Sequence, residues 1–313
     1  VSIQSLVIDP SNSSTVYAAF GGLAKSTDGG QSWSPIPFNP ILGSIGSLAI
    51  DPVNPSTLYA GSGQFSSLDH GGVFKSTDGG LSWAAINNGL TPTVVASLAI
   101  NPSNRLILYA GTAGGIFKTA DAGQNWTFSS SGITSPPFIR TLAPDPLTPG
   151  TLYVGTRDAG VFKTTNGGQS WSAISAGLRY GRAVHALVID PTNAAGTLYA
   201  GTQFGAFRST DGGQSWFGVN TGLGGRPTIF SLAIDPVDPA ILYAGTSGVG
   251  IFKTVDKGQA WFDISSGLPA GSSVGAIAID PLNHNIVYAS LQSTGGVFGA
   301  FKSINGGLSW TAL

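Results

Sequence analysis

An octapeptide rich in serine, aspartate and glycine is the first candidate for chemistry in this sequence. It reads STDGGQSW at residues 26 to 33 and again at residues 209 to 216. Polar loops of this kind hold phosphate groups, calcium ions or nucleophilic serines in many proteins. Five near copies exist: STDGGLSW (76 to 83), TADAGQNW (119 to 126), TTNGGQSW (164 to 171), TVDKGQAW (254 to 261) and SINGGLSW (303 to 310). Because an active site needs one copy and a repeated fold needs all seven, we predict a structural role.

Three further segments recur with the octapeptide in a fixed order. The first reads SLVIDP at residues 5 to 10, and its seven versions follow one another at steps of 42 to 50 residues. The second contains a Tyr, as in TLYAGT, the third resembles GVFKST and runs into the octapeptide, and the fourth begins at its Trp. Each segment is rich in Val, Ile, Phe, Tyr or Thr and is bounded by Gly, Pro, Asn or Asp. This pattern is typical of short β-strands.

Seven units of four strands predict an all-β chain folded as a seven-bladed β-propeller, with four antiparallel strands in each blade and no helix. A lone four-stranded blade has two apolar faces, so the blades must pack on one another around an axis. We therefore expect one domain over residues 1 to 313. Its blades would span approximately 1–42, 43–92, 93–136, 137–181, 182–226, 227–271 and 272–313.

The octapeptide resembles the Asp-box, or BNR repeat, whose pattern is Ser/Thr-x-Asp-x-Gly-x-x-Trp. That repeat occurs in sialidases, sortilin-type receptors, xyloglucanase-type glycosidases and Ycf48-like assembly factors. The resemblance implies a turn between the third and fourth strands, away from the ligand-binding face. Turn chemistry separately predicts that its Asp or Asn accepts backbone N–H groups two residues on. The corresponding residues are Asp28, Trp33, Asp78, Trp83, Asp121, Trp126, Asn166, Trp171, Asp211, Trp216, Asp256, Trp261, Asn305 and Trp310. Asn166 and Asn305 depart from the pattern.

The composition excludes several classes of partner. A net charge of -1 with 9% charged residues provides no electrostatic footprint for nucleic acid, and no apolar run is long enough for membrane insertion. The chain has no Cys, so it cannot form disulfides or thiolate sites, and we expect no metal and no cofactor. Low charge with abundant Ser, Thr and Gly favours an extracellular, cell-surface or periplasmic location.

Arginine is the charged residue that the repeat leaves free, because six of the seven Arg residues lie outside repeated positions. Strand alternation places the loops that join blades, and those between second and third strands, on one face of the disc. We assign four Arg to blade-joining loops and Arg157 to a two-to-three loop. The predicted ligand-binding set is Arg140, Arg157, Asp158, Arg179, Tyr180, Arg182 and Arg226. These types suit an anionic group on a protein or glycan partner, although solvated loop arginines are the simpler interpretation.

A second candidate surface flanks blade 1. The two-to-three loops of blade 2 (63 to 72) and blade 7 (290 to 299) are longer than their equivalents, and the first contains Phe65, Asp69 and His70. Insertions on one face of a repeat array often mark a binding face. An Asp-His dipeptide on a loop is more commonly solvated than catalytic.

The resemblance includes glycosidases, so catalysis has to be weighed. A sialidase-like site would need a Tyr paired with a Glu, and the chain has no Glu. A hydrolase with two Asp would need them about 5–10 Å apart, whereas the loop candidates Asp69 and Asp158 belong to different blades. We therefore favour a non-catalytic binding or scaffold propeller for a protein or glycan partner, with possible self-assembly. A glycoside hydrolase or lectin is the alternative.

Two structural expectations complete the sequence reading. The Asp of the DP pair and the Lys of the third strand lie toward the same end of a blade, so we expect them to pair. The sequence also starts on a first strand and stops on a fourth, so blade 7 should meet blade 1 by packing alone and form the least stable join.

Overall fold

The computed structural model describes residues 3–38, 44–64, 67–91, 93–133, 138–178, 182–193, 196–294 and 297–313. Within these ranges the chain contains no helix and forms seven sheets of four strands. Every sheet is antiparallel and takes its strands in sequence order. The predicted all-β, seven-bladed β-propeller is confirmed.

The strand bounds follow the four repeated segments. Blades 1 to 4 contain β1 (Ser5–Asp9), β2 (Asn12–Ala19), β3 (Leu23–Ser26), β4 (Ser34–Ile36), β5 (Ile45–Ile50), β6 (Leu58–Gln64), β7 (Ser67–Ser76), β8 (Ala84–Ala85), β9 (Val95–Ile100), β10 (Leu108–Thr112), β11 (Gly115–Thr119), β12 (Thr127–Phe128), β13 (Ile139–Pro144), β14 (Leu152–Thr156), β15 (Val161–Thr164) and β16 (Ser172–Ala173). Blades 5 to 7 contain β17 (Val184–Ile189), β18 (Leu198–Thr202), β19 (Gly205–Ser209), β20 (Phe217–Gly218), β21 (Ile229–Ile234), β22 (Leu242–Thr246), β23 (Ile251–Thr254), β24 (Phe262–Asp263), β25 (Ser273–Ile279), β26 (Val287–Thr294), β27 (Val297–Ser303) and β28 (Thr311–Ala312).

The first strand of each blade forms the inner wall of the disc. Each first strand contacts the first strand of the next blade, and β25 contacts β1, so the ring closes around an axial channel. The second strands carry the largest fully buried side chains, the repeated tyrosines. The hydroxyl groups of five of these tyrosines donate across to an octapeptide carbonyl of the next blade at 3.1–3.3 Å. The pairs are Tyr17 with Gly79, Tyr109 with Gly167, Tyr199 with Lys257, Tyr243 with Gly306 and Tyr288 with Gly29.

The third-strand lysines join the same contact instead of pairing with the DP aspartates. Lys118 Nζ, for example, donates to the Gly167 carbonyl at 2.7 Å and lies 5.7 Å from the centre of the Tyr109 ring. In the described ranges no Lys lies within 4.0 Å of an Asp carboxylate. The DP carboxylates accept backbone N–H groups of their own turn, as Asp51 does from Val53 and Asn54. A direct Lys–Asp ion pair is therefore not formed in the described ranges, because each group has a nearer backbone partner; a water-bridged pair stays a prediction.

The octapeptide forms the turn between the third and fourth strands. In the first copy, the Ser26 hydroxyl accepts the Gly30 N–H, and Asp28 accepts the Ser32 N–H at 2.9 Å and the Ser32 hydroxyl at 2.5 Å. The Asp thus reaches four residues on, not two as we expected. Gly29 and Gly30 have φ values of 71° and 94°, which a side chain would strain. None of these groups is left free for catalysis.

An Asp-to-Asn exchange in this turn should remove part of the protein's acid sensitivity. Hydrogen bonds, chiefly from the Ser215 hydroxyl, lower the pKa of Asp211 to about 2. Its folded-state pKa lies below the usual 3.8, so its stabilising effect is present above that value and is lost as pH falls toward about 2. Asp211→Asn should keep the Tm at neutral pH within a few degrees and make the Tm fall less in acid. Asn166 in blade 4 already accepts the Ser170 N–H in the same way, and its amide donates to the Ser170 hydroxyl. Thermal unfolding at neutral pH and near pH 2 measures both Tm values. If the Tm of Asp211→Asn fell in acid as much as that of the wild type, Asp211 would not be a source of the acid sensitivity.

The join between blades 7 and 1 uses more than packing. The hydroxyl of Tyr288 and Nζ of Lys302 both donate to the Gly29 carbonyl, at 3.1 and 2.8 Å. The Ser13 hydroxyl also donates to the Asp280 carboxylate at 2.7 Å. The expectation of a join made by packing alone is therefore wrong. Its rank in stability stays a prediction.

Candidate functional site

A β-bulge near the start of the inner strand marks one mouth of the axial channel. In blades 2 to 7 the strand pairing skips one residue there, and residue 4 holds the equivalent place in blade 1. A bulged residue leaves the ladder, so its side chain is directed away from the regular alternation. We call these residues the bulge ring. Its members are Gln4, Gly46, Ala96, Arg140, His185, Phe230 and Gly275.

Three neighbouring members of the bulge ring touch one another. Arg140 Nη1 contacts His185 Nδ1, and the His185 and Phe230 rings meet edge to face with centroids 5.5 Å apart. They line a cavity of about 280 Å³ together with Gln4 and Ser231. We predicted Arg140 in a blade-joining loop, but it lies within β13. The bulge brings an inner-strand residue to the face on which the loop was expected.

The Arg140–His185 contact fixes the protonation of the imidazole. A guanidinium can only donate, so Nδ1 of His185 must accept and the imidazole is neutral, with its proton on Nε2. Burial, and secondly the Arg140 charge, lowers the pKa of His185 from 6.5 to about 4. Burial also lowers the pKa of Arg140, aided by the nearby Arg157 and opposed by Asp158. The channel mouth thus holds a cation with a neutral histidine beside it.

Replacing His185 with glutamine should make the protein less sensitive to mild acid. The folded-state pKa of His185 lies below its usual 6.5, so the stabilising effect is complete above pH 6.5 and is lost as pH falls to about 4. The difference between the two pKa values corresponds to roughly 3 kcal/mol of unfolding free energy. The difference in unfolding free energy between wild type and His185→Gln should shift by that amount across this range, in favour of the variant. Urea denaturation at both ends of the range measures it; parallel pH profiles would show that the imidazole does not titrate as described.

Two more of the predicted arginines border the same mouth. The Arg157 N–H donates to the Phe138 carbonyl at 2.9 Å, and the Arg182 carbonyl accepts the Gly160 N–H at 3.0 Å. Both side chains are exposed. Arg157 Nε lies 3.9 Å from the Asp158 carboxylate, which is 84% exposed. We call the surface around Arg140, Arg157 and Arg182 the channel-mouth face.

The remaining predicted residues divide into two groups. Arg226 is exposed between β20 and β21 and forms no ion pair with any residue in the described ranges. Arg179, Tyr180 and Phe65 lie outside the described residues. The backbone of Asp69 and His70 belongs to β7, but their side chains also lie outside the description. The connections between the second and third strands of blades 2 and 7 are longer than their equivalents, as predicted. They are built largely of strand and not of loop, because β6–β7 and β26–β27 continue as extended hairpins.

Sequence reasoning missed the bulge ring as a set. The sequence nevertheless contained a signal. The residue that precedes the first repeated segment, such as SLAIDP, varies among the blades and includes Gly, Arg, His and Phe, while the residues after it repeat. This position adjoins the first repeated segment, which the sequence pattern assigns to the blades and not to a site.

The opposite end of the channel is apolar. A cavity of about 330 Å³ there is lined by Ile100, Pro144, Ile189 and Ile234 with their neighbours. The two ends thus differ in chemistry. In the described part of the chain, no helix is long and apolar enough to cross a membrane, and no three His, Cys, Asp or Glu side chains are grouped to hold a metal.

Comparison with known proteins identifies the fold. No protein-family model matches the sequence, and no curated protein matches it. The GH74 xyloglucanase from Xanthomonas campestris is similar in structure, with a TM-score of 0.76 and 19% identity over 99% of this chain and 54% of that one. YCF48 bound to D1 peptide has a TM-score of 0.68 and 17% identity over 93% of this chain and 89% of that one. Likeness at this identity establishes the fold alone.

A third similar structure comes from B. thetaiotaomicron. It is the extracellular domain assigned to a hybrid two-component system, with a TM-score of 0.65 and 16% identity over 89% of this chain and 34% of that one. The present chain therefore spans about half of the xyloglucanase (54%) and a third of the two-component protein (34%). Similar propellers thus occur in proteins of different activity.

Proposed function

We propose that this chain is a non-catalytic binding module that presents the channel-mouth face to an acidic segment of a protein partner. The observation that carries the proposal is the state of Arg140. Its Nε is buried and has no hydrogen-bond partner among the described residues, while Nη1 is held by neutral His185. A buried donor without a partner is costly to a folded protein, so a ligand oxygen here would satisfy it.

The neighbouring groups support recognition of a carboxylate. Arg157 and Arg182 add two exposed guanidinium groups, which bind carboxylates through paired hydrogen bonds. Phe230 and Gln4 supply an apolar wall and an amide to the same cavity. Because Arg140 is held by His185, little side-chain freedom would be lost on binding.

The comparisons support a protein partner without naming it. The YCF48 structure contains a bound D1 peptide, so a propeller of this fold can bind a peptide. A glycan partner and self-assembly are the other roles open to the same face. We further propose an extracellular, cell-surface or periplasmic location, supported by the low charge and by the extracellular domain among the similar structures.

The second candidate is a glycoside hydrolase. Similarity to the xyloglucanase over 99% of this chain favours it, although this chain covers only 54% of that enzyme. Asp158 is the described carboxylate at the channel-mouth face, and its nearest charged partner is Arg157. If Asp158 were catalytic, the wild-type protein would release reducing sugar from neutral polysaccharides, and Asp158→Asn would abolish that activity.

An array of immobilised peptides tests the binding role. Peptides rich in Asp and Glu with free C-terminal carboxylates are compared with amidated, neutral versions of the same length. The double variant Arg157→Ser, Arg182→Ser should raise the Kd for the acidic peptides about ten-fold or more. Added salt should also weaken binding, because the arginines are exposed.

Arg105 provides the matched control. It lies between β9 and β10 on the opposite face, where Nη1 is 3.9 Å from the Asp51 carboxylate. Arg105→Ser removes one positive charge, as each single substitution of the pair does, and should leave the peptide Kd unchanged, whereas Arg157→Ser and Arg182→Ser should each raise it. The proposal is overturned if no acidic peptide binds, or if Arg105→Ser weakens binding as much as those two variants do.

A further inference from the structure

An aliphatic side chain closes the contact between neighbouring blades at six of the seven positions. We call each such contact a seam and name it by its two blades. The third residue after the octapeptide Trp reaches the glycine at the fifth position of the next octapeptide. A methyl group at that glycine would be in contact with this side chain, and at five of the six positions it would be too close. The six contacts are Ile36 with Gly80, Ile86 with Gly123, Ile174 with Gly213, Val219 with Gly258, Ile264 with Gly307 and Leu313 with Gly30.

The 3/4 seam lacks this aliphatic plug. Ser129 occupies the position in blade 3, and its hydroxyl faces Gly168 and donates to the Gly168 carbonyl at 2.6 Å. A cavity of about 440 Å³ opens at this place, larger than either channel cavity described above. Replacing a branched aliphatic chain with a hydroxymethyl group is the physical reason for the opening.

Polar groups line the cavity, and several have unused hydrogen-bonding capacity. Its buried floor contains Ser129 and Ser130, whose hydroxyls each have one bond in place, and Gly168. At its rim, the side chains of Ser131 and Gln169 are exposed and make no hydrogen bond within the described residues. The equivalent amides of Gln31, Gln124 and Gln259 bond to the carbonyl of their own octapeptide, whereas those of Gln169 and Gln214 do not.

One wall of the cavity is aromatic. Phe128 is 63% exposed, and its ring packs edge to face on Phe117 with centroids 5.4 Å apart. The equivalent residues of the other blades are small or polar. They are Pro35, Ala85, Ala173, Gly218, Asp263 and Ala312. Blade 3 therefore departs from the repeat at two adjacent positions, and both departures border the same cavity.

The charges at this seam exclude an ionic ligand as the main occupant. Lys118 lines the cavity, but its ammonium already donates to the Gly167 carbonyl at 2.7 Å and lies over the Tyr109 ring. None of the lining residues is an Asp or Glu. The remaining groups are hydroxyls, an amide, backbone carbonyls and one aromatic face. Ligand sites of comparable volume combine an apolar wall with a few polar groups that fix orientation.

From these features we infer that the 3/4 seam is a binding site for one neutral sugar ring of a glycan. A pyranose has an apolar C–H face, which fits Phe128, and an edge of hydroxyl groups, which can donate to and accept from Ser129, Ser131 and Gln169. The site opens between the fourth strand of blade 3 and the octapeptide turn of blade 4, and it shares no lining residue with the channel-mouth cavity. Its occupancy does not depend on the function proposed for the channel-mouth face.

Restoring the repeat residue provides the direct test. Ser129→Ile places the residue of blades 1, 2, 4 and 6 in blade 3, so the variant should fold with a Tm equal to or above that of the wild type. The probes are glucose, galactose, mannose, xylose, fucose and N-acetylglucosamine, titrated by calorimetry and NMR up to saturating concentration. A single ring should bind the wild type with a Kd of roughly 1 mM. Ser129→Ile should weaken that binding at least ten-fold.

Three further measurements locate the ligand. Phe128→Ala, which introduces the residue of blades 2, 4 and 7, should weaken binding several-fold. The indole N–H resonance of Trp171 should shift on titration, because this group donates to the Ser129 carbonyl at 2.7 Å. The Arg157→Ser, Arg182→Ser variant should bind sugar normally, so that failure of the peptide array and failure of this site remain distinguishable.

Three outcomes would overturn the inference. Absence of saturable binding by every sugar removes the site, and equal binding by wild type and Ser129→Ile moves it elsewhere. Glucuronic acid and galactose 6-sulfate serve as charged comparison probes, and binding restricted to these two would instead assign the seam to anions held by Lys118.

Discussion

Replacing Trp216 with alanine is expected to lower the free energy of unfolding by about 3–5 kcal/mol. The indole is 2% exposed and packs with Leu178 and Phe207 in the core between blades 4 and 5. Its Nε1 donates to the Ile174 carbonyl at 2.7 Å, and its backbone N–H donates to the Ala176 carbonyl at 2.9 Å. The side chain therefore joins two blades and leaves both a cavity and an unpaired carbonyl when removed.

Trp83 provides the control for this prediction. Its side chain is only partly buried, and its Nε1 donates within its own turn to the Gly80 carbonyl at 3.0 Å. Trp83→Ala should therefore cost distinctly less. Urea denaturation of both variants measures the difference. Equal losses would mean that the tryptophans stabilise their turns and not the contacts between blades.

Replacing Gly177 with alanine should cost about 3 kcal/mol or more, from two separate causes. Gly177 has a φ of 95°, a conformation that strains any L-residue with a side chain. The added methyl group would also overlap the Trp216 carbonyl of the next blade. The same clash recurs at Gly89, Gly132, Gly222 and Gly267, so the glycine is a requirement of close approach between blades.

Gly224 separates the two causes. Its φ of 67° is also left-handed, but an added methyl group would meet nothing within 4 Å. Gly224→Ala should therefore cost only the backbone term, about 1–2 kcal/mol. Equilibrium unfolding of the two variants gives the difference. If Gly177→Ala were no worse than Gly224→Ala, the blades would have room that the structure does not show.

The fold was predictable because the sequence contains seven copies of the same four-strand unit. Short strands bounded by Gly and Pro, with a step of 42 to 50 residues, specify blade number and strand order without any long-range information. The repeat could not predict the hydrogen-bond partner of each charged residue that recurs from blade to blade. Lys118 and Asp51 occupy the same end of their blades, yet both bind backbone groups. Periodicity locates a residue along the chain, whereas hydrogen-bond geometry in the assembled ring decides its partner.

The candidate sites were predictable only in part, for two physical reasons. Arg157 and Arg182 could be assigned to one face from strand direction alone, and the structure places their backbones beside the same turn. Arg140 was assigned to the right face but the wrong element, because a bulge is not visible in a short apolar strand. Ser129 was not predicted because a single serine three residues after Trp126 gives no signal by itself. Its significance is visible only when it is aligned with the six aliphatic residues at the same position of the other blades.

Two different departures from the repeat therefore mark two separate surfaces. At the channel mouth, polar side chains replace small ones on the inner strand, and charge accumulates around Arg140. At the 3/4 seam, a small polar residue replaces a large apolar one, and space opens beside Phe128. A peptide and a sugar would thus be bound without competition, as required if one partner were a glycosylated protein.

The bulge ring also has a consequence for how such a protein can change. In blades 2 to 7 the residue of the bulge ring is skipped by the hydrogen-bond ladder, so substitution there leaves strand register unaltered. Gly46 and Gly275 occupy the same place as Arg140 and Phe230 within one stable ring. If the channel-mouth face binds a partner as proposed, its specificity can be changed one blade at a time, while the parts that assemble the disc remain fixed.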